Sequence, residues 1–105
     1  MAQFDVYLNP QPGSAKSVPY VLDVQSALID QLPTRLVMPL SRVGAQASKL
    51  PVNLCPVVQL NGETLTAMPH LAAPVAARSL KKPVASLRHA ASTLTAAFDA
   101  ALSGL

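Results

Sequence analysis

Apolar and polar residues alternate through Gln3-Phe4-Asp5-Val6-Tyr7-Leu8. That is the period of a half-buried strand, and the aromatic and β-branched residues in it favour a pleated surface. Asn9-Pro10-Gln11-Pro12-Gly13-Ser14 breaks the run and predicts a loop. Pro19 would interrupt a central strand, so a second strand is expected just after it, over Tyr20-Val21-Leu22-Asp23-Val24-Gln25. Leu28-Ile29-Asp30 continues the apolar run, and Leu32-Pro33-Thr34 turns the chain. Arg35-Leu36-Val37-Met38-Pro39-Leu40 reads as a third strand, ended by its proline. Residues 41–54 show no clear period. Pro56-Val57-Val58-Gln59-Leu60 followed by Asn61-Gly62 predicts a hairpin, because both turn residues tolerate positive φ. Glu63-Thr64-Leu65-Thr66 is the returning strand, and Pro74-Val75-Ala76-Ala77 a further one.

From Val84 the period changes. Leu87, Ala91, Leu94, Phe98 and Ala101 or Leu102 recur at the three- and four-residue steps of a helical stripe. Pro83 suits a first turn, Ser86 a cap, and Gly104 a stop. Residues 1–105 are thus expected to form one domain, mainly β with a C-terminal α-helix, its short antiparallel strands curled into a small barrel. The helix ends without a spare tail at Leu102-Ser103-Gly104-Leu105, so the C-terminus is expected to be part of the working surface.

Half of the residues are hydrophobic and 12% are charged. So apolar a surface on so small a chain favours an oligomer. The net charge is +3, but the eight basic residues look scattered, with Lys81-Lys82 the only adjacent pair and Arg78 and Arg88 nearby. Strong binding to a nucleic-acid backbone wants about six or more phosphate contacts from one face, which this pattern does not supply. Two Tyr, two Phe and no Trp leave few platforms for stacking bases. A single cysteine, Cys55, excludes an internal disulfide and fits a reducing cytoplasm. The N-terminus has no leader pattern and no apolar run approaches a membrane span, so a cytosolic protein is expected.

Candidate chemistry is sparse. His70, His89, Cys55 and five carboxylates lie apart, without the spacing of a metal site. Ser41, Ser48 and Ser86 lack a nucleophile-elbow setting, and four glycines make no phosphate-cradling loop. No cofactor is implied. A metal-free ribonuclease would need only a base, an acid and a cation, for which Asp30 with Arg35 or Glu63 with Arg78 are the available sets. Otherwise the chain acts by binding.

Four stretches resemble the CcdB toxin family. Gln3-Phe4-Asp5-Val6-Tyr7 is similar to its opening Gln-Phe-x-Val-Tyr, and Asp23-Val24-Gln25-Ser26 with Ile29-Asp30 to its Asp-Val-Gln-Ser-x-x-Ile-Asp. Leu36-Val37-Met38-Pro39-Leu40 resembles its Met-Val-Ile-Pro-Leu, and Pro56-Val57-Val58 with Glu63 its Pro-Val-Val strand. The resemblance implies an SH3-like barrel, shared with the MazF ribonuclease toxins, and a homodimer. It further implies the toxin of a type II toxin–antitoxin system of the kind that maintains plasmids. Such a toxin binds the DNA gyrase A subunit and traps the cleaved DNA complex without chemistry of its own. The C-terminal arm of a CcdA-like antitoxin wraps the toxin and releases gyrase.

The resemblance also assigns the gyrase-contacting positions. Leu28 and Ile29 match the family's apolar Ile-Ile pair, and Gly104 and Leu105 its closing Gly-Ile. Asp99 stands where the family has Asn, Leu102 where it has Phe, and Ser103 where it has Trp. A buried Trp anchor typically contributes ~2–4 kcal/mol at an interface. Three functions follow: a gyrase poison with altered contacts, a diverged family member without gyrase poisoning, and a MazF-like endoribonuclease.

Overall fold

The computed structural model describes residues 2–26, 32–42 and 55–103. Strands β1 (Asp5–Leu8), β2 (Tyr20–Asp23), β3 (Thr34–Arg42), β4 (Val57–Leu60), β5 (Glu63–Ala67), β6 (Ala73–Ala76) and β7 (Ala85–Ser86) precede one helix, α1 (Ala91–Ser103). All the pairings are antiparallel, in the order β4-β5-β3-β2-β1-β7, with β6 also on β3. The sheet curls into a nearly closed barrel with the helix at its end, the SH3-like class that the sequence predicts.

The long strand β3 organises this barrel. One of its edges takes β2; the other is shared, β6 pairing along Thr34–Val37 and β5 along Leu40–Arg42. Pro39 does not end the strand, as the sequence suggested, but lies inside it opposite Val21. In an antiparallel strand the N–H and C=O of one residue point to the same edge. The Pro39 carbonyl accepts the Met68 N–H, so its missing N–H falls on the shared edge, in the gap between β5 and β6. No ladder bond is lost there, which is why a central strand tolerates this proline.

Residues opposite one another in register share a face, and neighbours along a strand alternate. The inner face gathers Val6, Leu22, Met38 and Leu40, joined by Leu60 and Leu65 of the hairpin and by Leu87 and Leu94. The outer face carries a second cluster of Tyr7, Val21 and Val37, against which Leu80 packs. Leu80 belongs to the crossover 77–82, which leaves β6 beside β3 and reaches β7 beside β1. Asp23 and Arg35, both fully buried, lie on the same face of the sheet.

Three local forecasts are corrected. The first strand begins at Asp5 rather than Gln3, because Phe4 takes φ 71°. Its N–H donates to Asp23 O and its C=O accepts from the Leu87 N–H, so the end of β2 and the residue after β7 hold it in a conformation that bulky residues avoid. The second strand stops at Asp23, whose Oδ1 accepts the Gln25 N–H at 2.9 Å in a side-chain turn. The helix starts at Ala91 and not at Val84. Val84 donates to Val6 O and Leu87 to Phe4 O, so pairing with β1 keeps this stretch extended despite its helical spacing. Ser86 accordingly accepts from the Arg88 N–H at a 3-10 turn and does not cap α1. The Asn61-Gly62 turn forms as predicted, with φ of 50° and 82° joining β4 to β5.

Candidate functional site

Helix α1 docks through Leu94 and Ala97, both buried, with Phe98 packed against the inner cluster beside Phe4 and Val24. Residues 99, 102 and 103 stand three and four apart and share the opposite side of the last turn. Leu102 is 73% exposed, the highest value among the large apolar side chains described. Asp99 and Ser103 are exposed beside it. The Ser103 hydroxyl donates to the Asp99 carbonyl at 2.7 Å, folding back on its own helix. The Asp99 carboxylate lies at the negative end of the helix dipole, a placement that costs a few tenths of a kcal/mol. This side of the turn therefore faces solvent and is not packed against the barrel. A narrow cleft of about 80 Å³ separates α1, at Leu94, Thr95 and Phe98, from Gln3, Phe4 and Val24. It is too small for a ligand of drug size, which takes about 300 Å³ or more.

Of the seven predicted contact residues, Asp99, Leu102 and Ser103 are thus brought together. Leu28, Ile29, Gly104 and Leu105 lie outside the described residues. The stretch carrying Leu28 and Ile29 leaves β2 and enters β3 through a buried polar clamp that the sequence did not reveal. Arg35 Nη2 meets Asp23 Oδ2 at 2.8 Å, and Arg35 Nε donates to the same oxygen at 2.9 Å. Gln25 closes the ring: its carbonyl accepts from Arg35 Nη2, and its Oε1 from the Leu36 N–H.

Of the sets considered for ribonuclease chemistry, Glu63 with Arg78 is not assembled. Arg35 is occupied by Asp23, and Asp30 lies outside the described residues. Glu63 pairs at 2.8 Å with Arg42, not with Arg78, on an exposed surface. Cys55 Sγ lies 3.7 Å from His70 Nδ1, but burial pushes the thiol above its ordinary range, the reverse of an activated nucleophile. Among the described residues no three His, Cys, Asp or Glu side chains cluster as a metal site, and no helix is long and apolar enough to cross a membrane.

No curated protein matches the chain. The family model described as CcdB protein matches it over residues 3–104. That span takes in the first strand, the whole barrel and the exposed last turn of α1, and it shows that this chain belongs to the CcdB family.

Proposed function

We propose that this chain inhibits DNA gyrase, binding the A subunit through the end of α1 and holding the enzyme on cleaved DNA. Family membership supports a toxin of a toxin–antitoxin system. The observation that carries the finer reading is Leu102, an aliphatic side chain left 73% exposed on a face shared with Asp99 and Ser103. A large apolar group exposed at a helix end is what an interface anchor requires. Gly104, Leu105, Leu28 and Ile29 complete the surface by resemblance. The protein works as a cytoplasmic homodimer, acts by binding and not by catalysis, and is neutralised by the arm of a CcdA-like antitoxin. Asp99 supplies a charge-assisted bond to a cation of the target in place of a neutral amide.

One observation favours the diverged reading. The Ser103 hydroxyl is bonded to its own helix and offers the target little where the family has an indole. Cleavage trapping separates the two. With gyrase, ATP and supercoiled plasmid, linear DNA that rises with dose after denaturation and proteolysis supports gyrase poisoning. Its absence, with a folded dimer and gyrase of the same host, favours a diverged toxin. Ser103→Trp should raise affinity about 30- to 1000-fold if the docking mode persists. Affinity that does not move would mean another mode.

A further inference from the structure

Cys55 and His70 lie 15 residues apart in the chain, yet the fold brings Cys55 Sγ to 3.7 Å from His70 Nδ1. Cys55 precedes β4 and is buried. His70 stands in the 3-10 turn Pro69–Leu71 after β5 and faces solvent. The β4–β5 hairpin makes this meeting. Val57 pairs with Thr66, and the Ala67 N–H donates to the Pro56 carbonyl, which carries the register one pair past the end of β4. One step further along that register, Cys55 falls opposite Met68. Opposite residues of an antiparallel pair share a face, so Cys55 and Met68 start from the side that Thr66 occupies. Thr66 is buried there, and its hydroxyl has no hydrogen-bond partner among the described residues. The turn itself is fixed: the Leu71 N–H donates to Met68 O, the Ala72 N–H to Pro69 O, and Pro69 is buried.

A thiolate, an imidazole and a thioether are the donors that soft cations prefer over hard ones such as magnesium or calcium. The 3.7 Å gap is one that a single cation closes. Bonds of about 2.3 Å to sulfur and about 2.0 Å to nitrogen span it at an angle of about 120°, the trigonal value. Charge then selects the valence. A thiolate cancels one positive charge, and a second would stay beside a buried sulfur without a counter-ion. Glu63 is the one carboxylate between Cys55 and His70, and it is held by Arg42 at the far end of the hairpin. Zinc also wants three or four ligands from Cys, His or carboxylates, and no such trio clusters among the described residues.

We propose that Cys55, His70 and Met68 form a trigonal site for a soft monovalent cation, Cu(I) being the member of that class to test. The Cys55 sulfur and His70 Nδ1 are its two strong ligands, and the Met68 thioether is the third and weaker one. For Nδ1 to bind, the ring keeps its proton on Nε2, which solvent can hydrate because His70 is exposed. Binding exchanges a proton for the metal. The S–H bond breaks, an S–Cu bond forms, the proton passes to solvent, and no electron is transferred. The anionic sulfur is also an acceptor for the Thr66 hydroxyl on the same face. A bound cation ties the start of β4 to the turn that packs against α1, and so favours the folded chain. The site uses none of the residues assigned to gyrase binding.

The test is anaerobic competition for Cu(I) between the reduced full chain and bicinchoninate, whose coloured copper complex bleaches as metal is withdrawn. One equivalent should transfer, and X-ray absorption at the copper edge should show two sulfur neighbours and one nitrogen. His70→Gln alters an exposed side chain and should keep the fold, which circular dichroism checks. It should weaken binding about tenfold or more, as should Cys55→Ser, and Met68→Leu should weaken it about threefold or more. His89→Gln should bind like the parent chain. Cu(I) should raise the thermal midpoint of the parent and leave that of His70→Gln where it was. No withdrawal of copper would overturn the proposal. So would equal withdrawal by folded His70→Gln, which would mean that a thiol alone holds the metal. Displacement of the Cu(I) by one equivalent of zinc would overturn it in favour of a divalent site.

Discussion

Asp23 and Arg35 lie on adjacent strands, and nothing in a strand pattern separates them from surface charges. Their meeting depends on the β2–β3 register, in which Asp23 faces Val37 and Arg35 follows two residues before on the same face. A linear reading has no access to that register. Once buried, such a pair is costly to break, since removing one partner strands the other charge away from water. Asp23→Ala should therefore lower the free energy of unfolding by about 3–5 kcal/mol in urea titrations. Replacing both residues with apolar side chains should restore much of the loss. Cys55 offers a second test at this scale. Because burial raises its pKa, the folded thiol stays protonated where the unfolded one ionises. Its contribution is complete below 9.0, the ordinary value, and is lost as pH rises past it. Tyr7, raised by burial first and then by Asp5 and Asp23, adds a loss in the same direction above 10.0. Urea midpoints should thus fall from about pH 8 to about pH 10.5, with Cys55→Ala flattening the lower part of the decline.

At the scale of elements, legibility followed the physics of each signal. The β4–β5 hairpin was readable because Asn-Gly encodes its own turn. Gly62 has φ 82° there with open space around it, so Gly62→Ala should cost about 1 kcal/mol through backbone strain alone. Thermal unfolding would register it. The start of the helix was not readable. Leu87 keeps the helical spacing, yet its N–H is claimed by Phe4, and a contact so distant in sequence leaves no local trace. Pro39 misled for a related reason, since the gap between two partner strands that accommodates it is a property of the sheet. The last turn of α1 is intermediate. The resemblance placed Asp99, Leu102 and Ser103 together, but Leu102 lies at the edge of the apolar stripe, and only packing decides its side. Being exposed, Leu102→Asp should change stability by less than about 0.5 kcal/mol, while lowering gyrase trapping about tenfold or more. Equal trapping by the variant would remove this turn from the interface.

At the scale of the whole molecule, the two faces of the sheet differ. Its inner face is filled by the core and helix, and its outer face is bridged by a crossover that presents cations. The barrel class was legible because short strands in sequence, ended by one helical stretch, allow few closed arrangements. The placement of charge was not, because neutralisation of Arg35 and Arg42 depends on partners far along the chain. One feature of the topology has a consequence in time. Strand β1 is flanked by β2 on one side and by β7 on the other, pairing Asp5 with Ser86. Contacts so remote in sequence must await synthesis of both ends, and closing them carries a large loop entropy. During translation, a nascent chain whose residue 86 is still inside the ribosome cannot seat Leu87 and Leu94 in the core or present the last turn of α1. The growing polypeptide thereby lacks the surface proposed to bind gyrase until that late pairing is made.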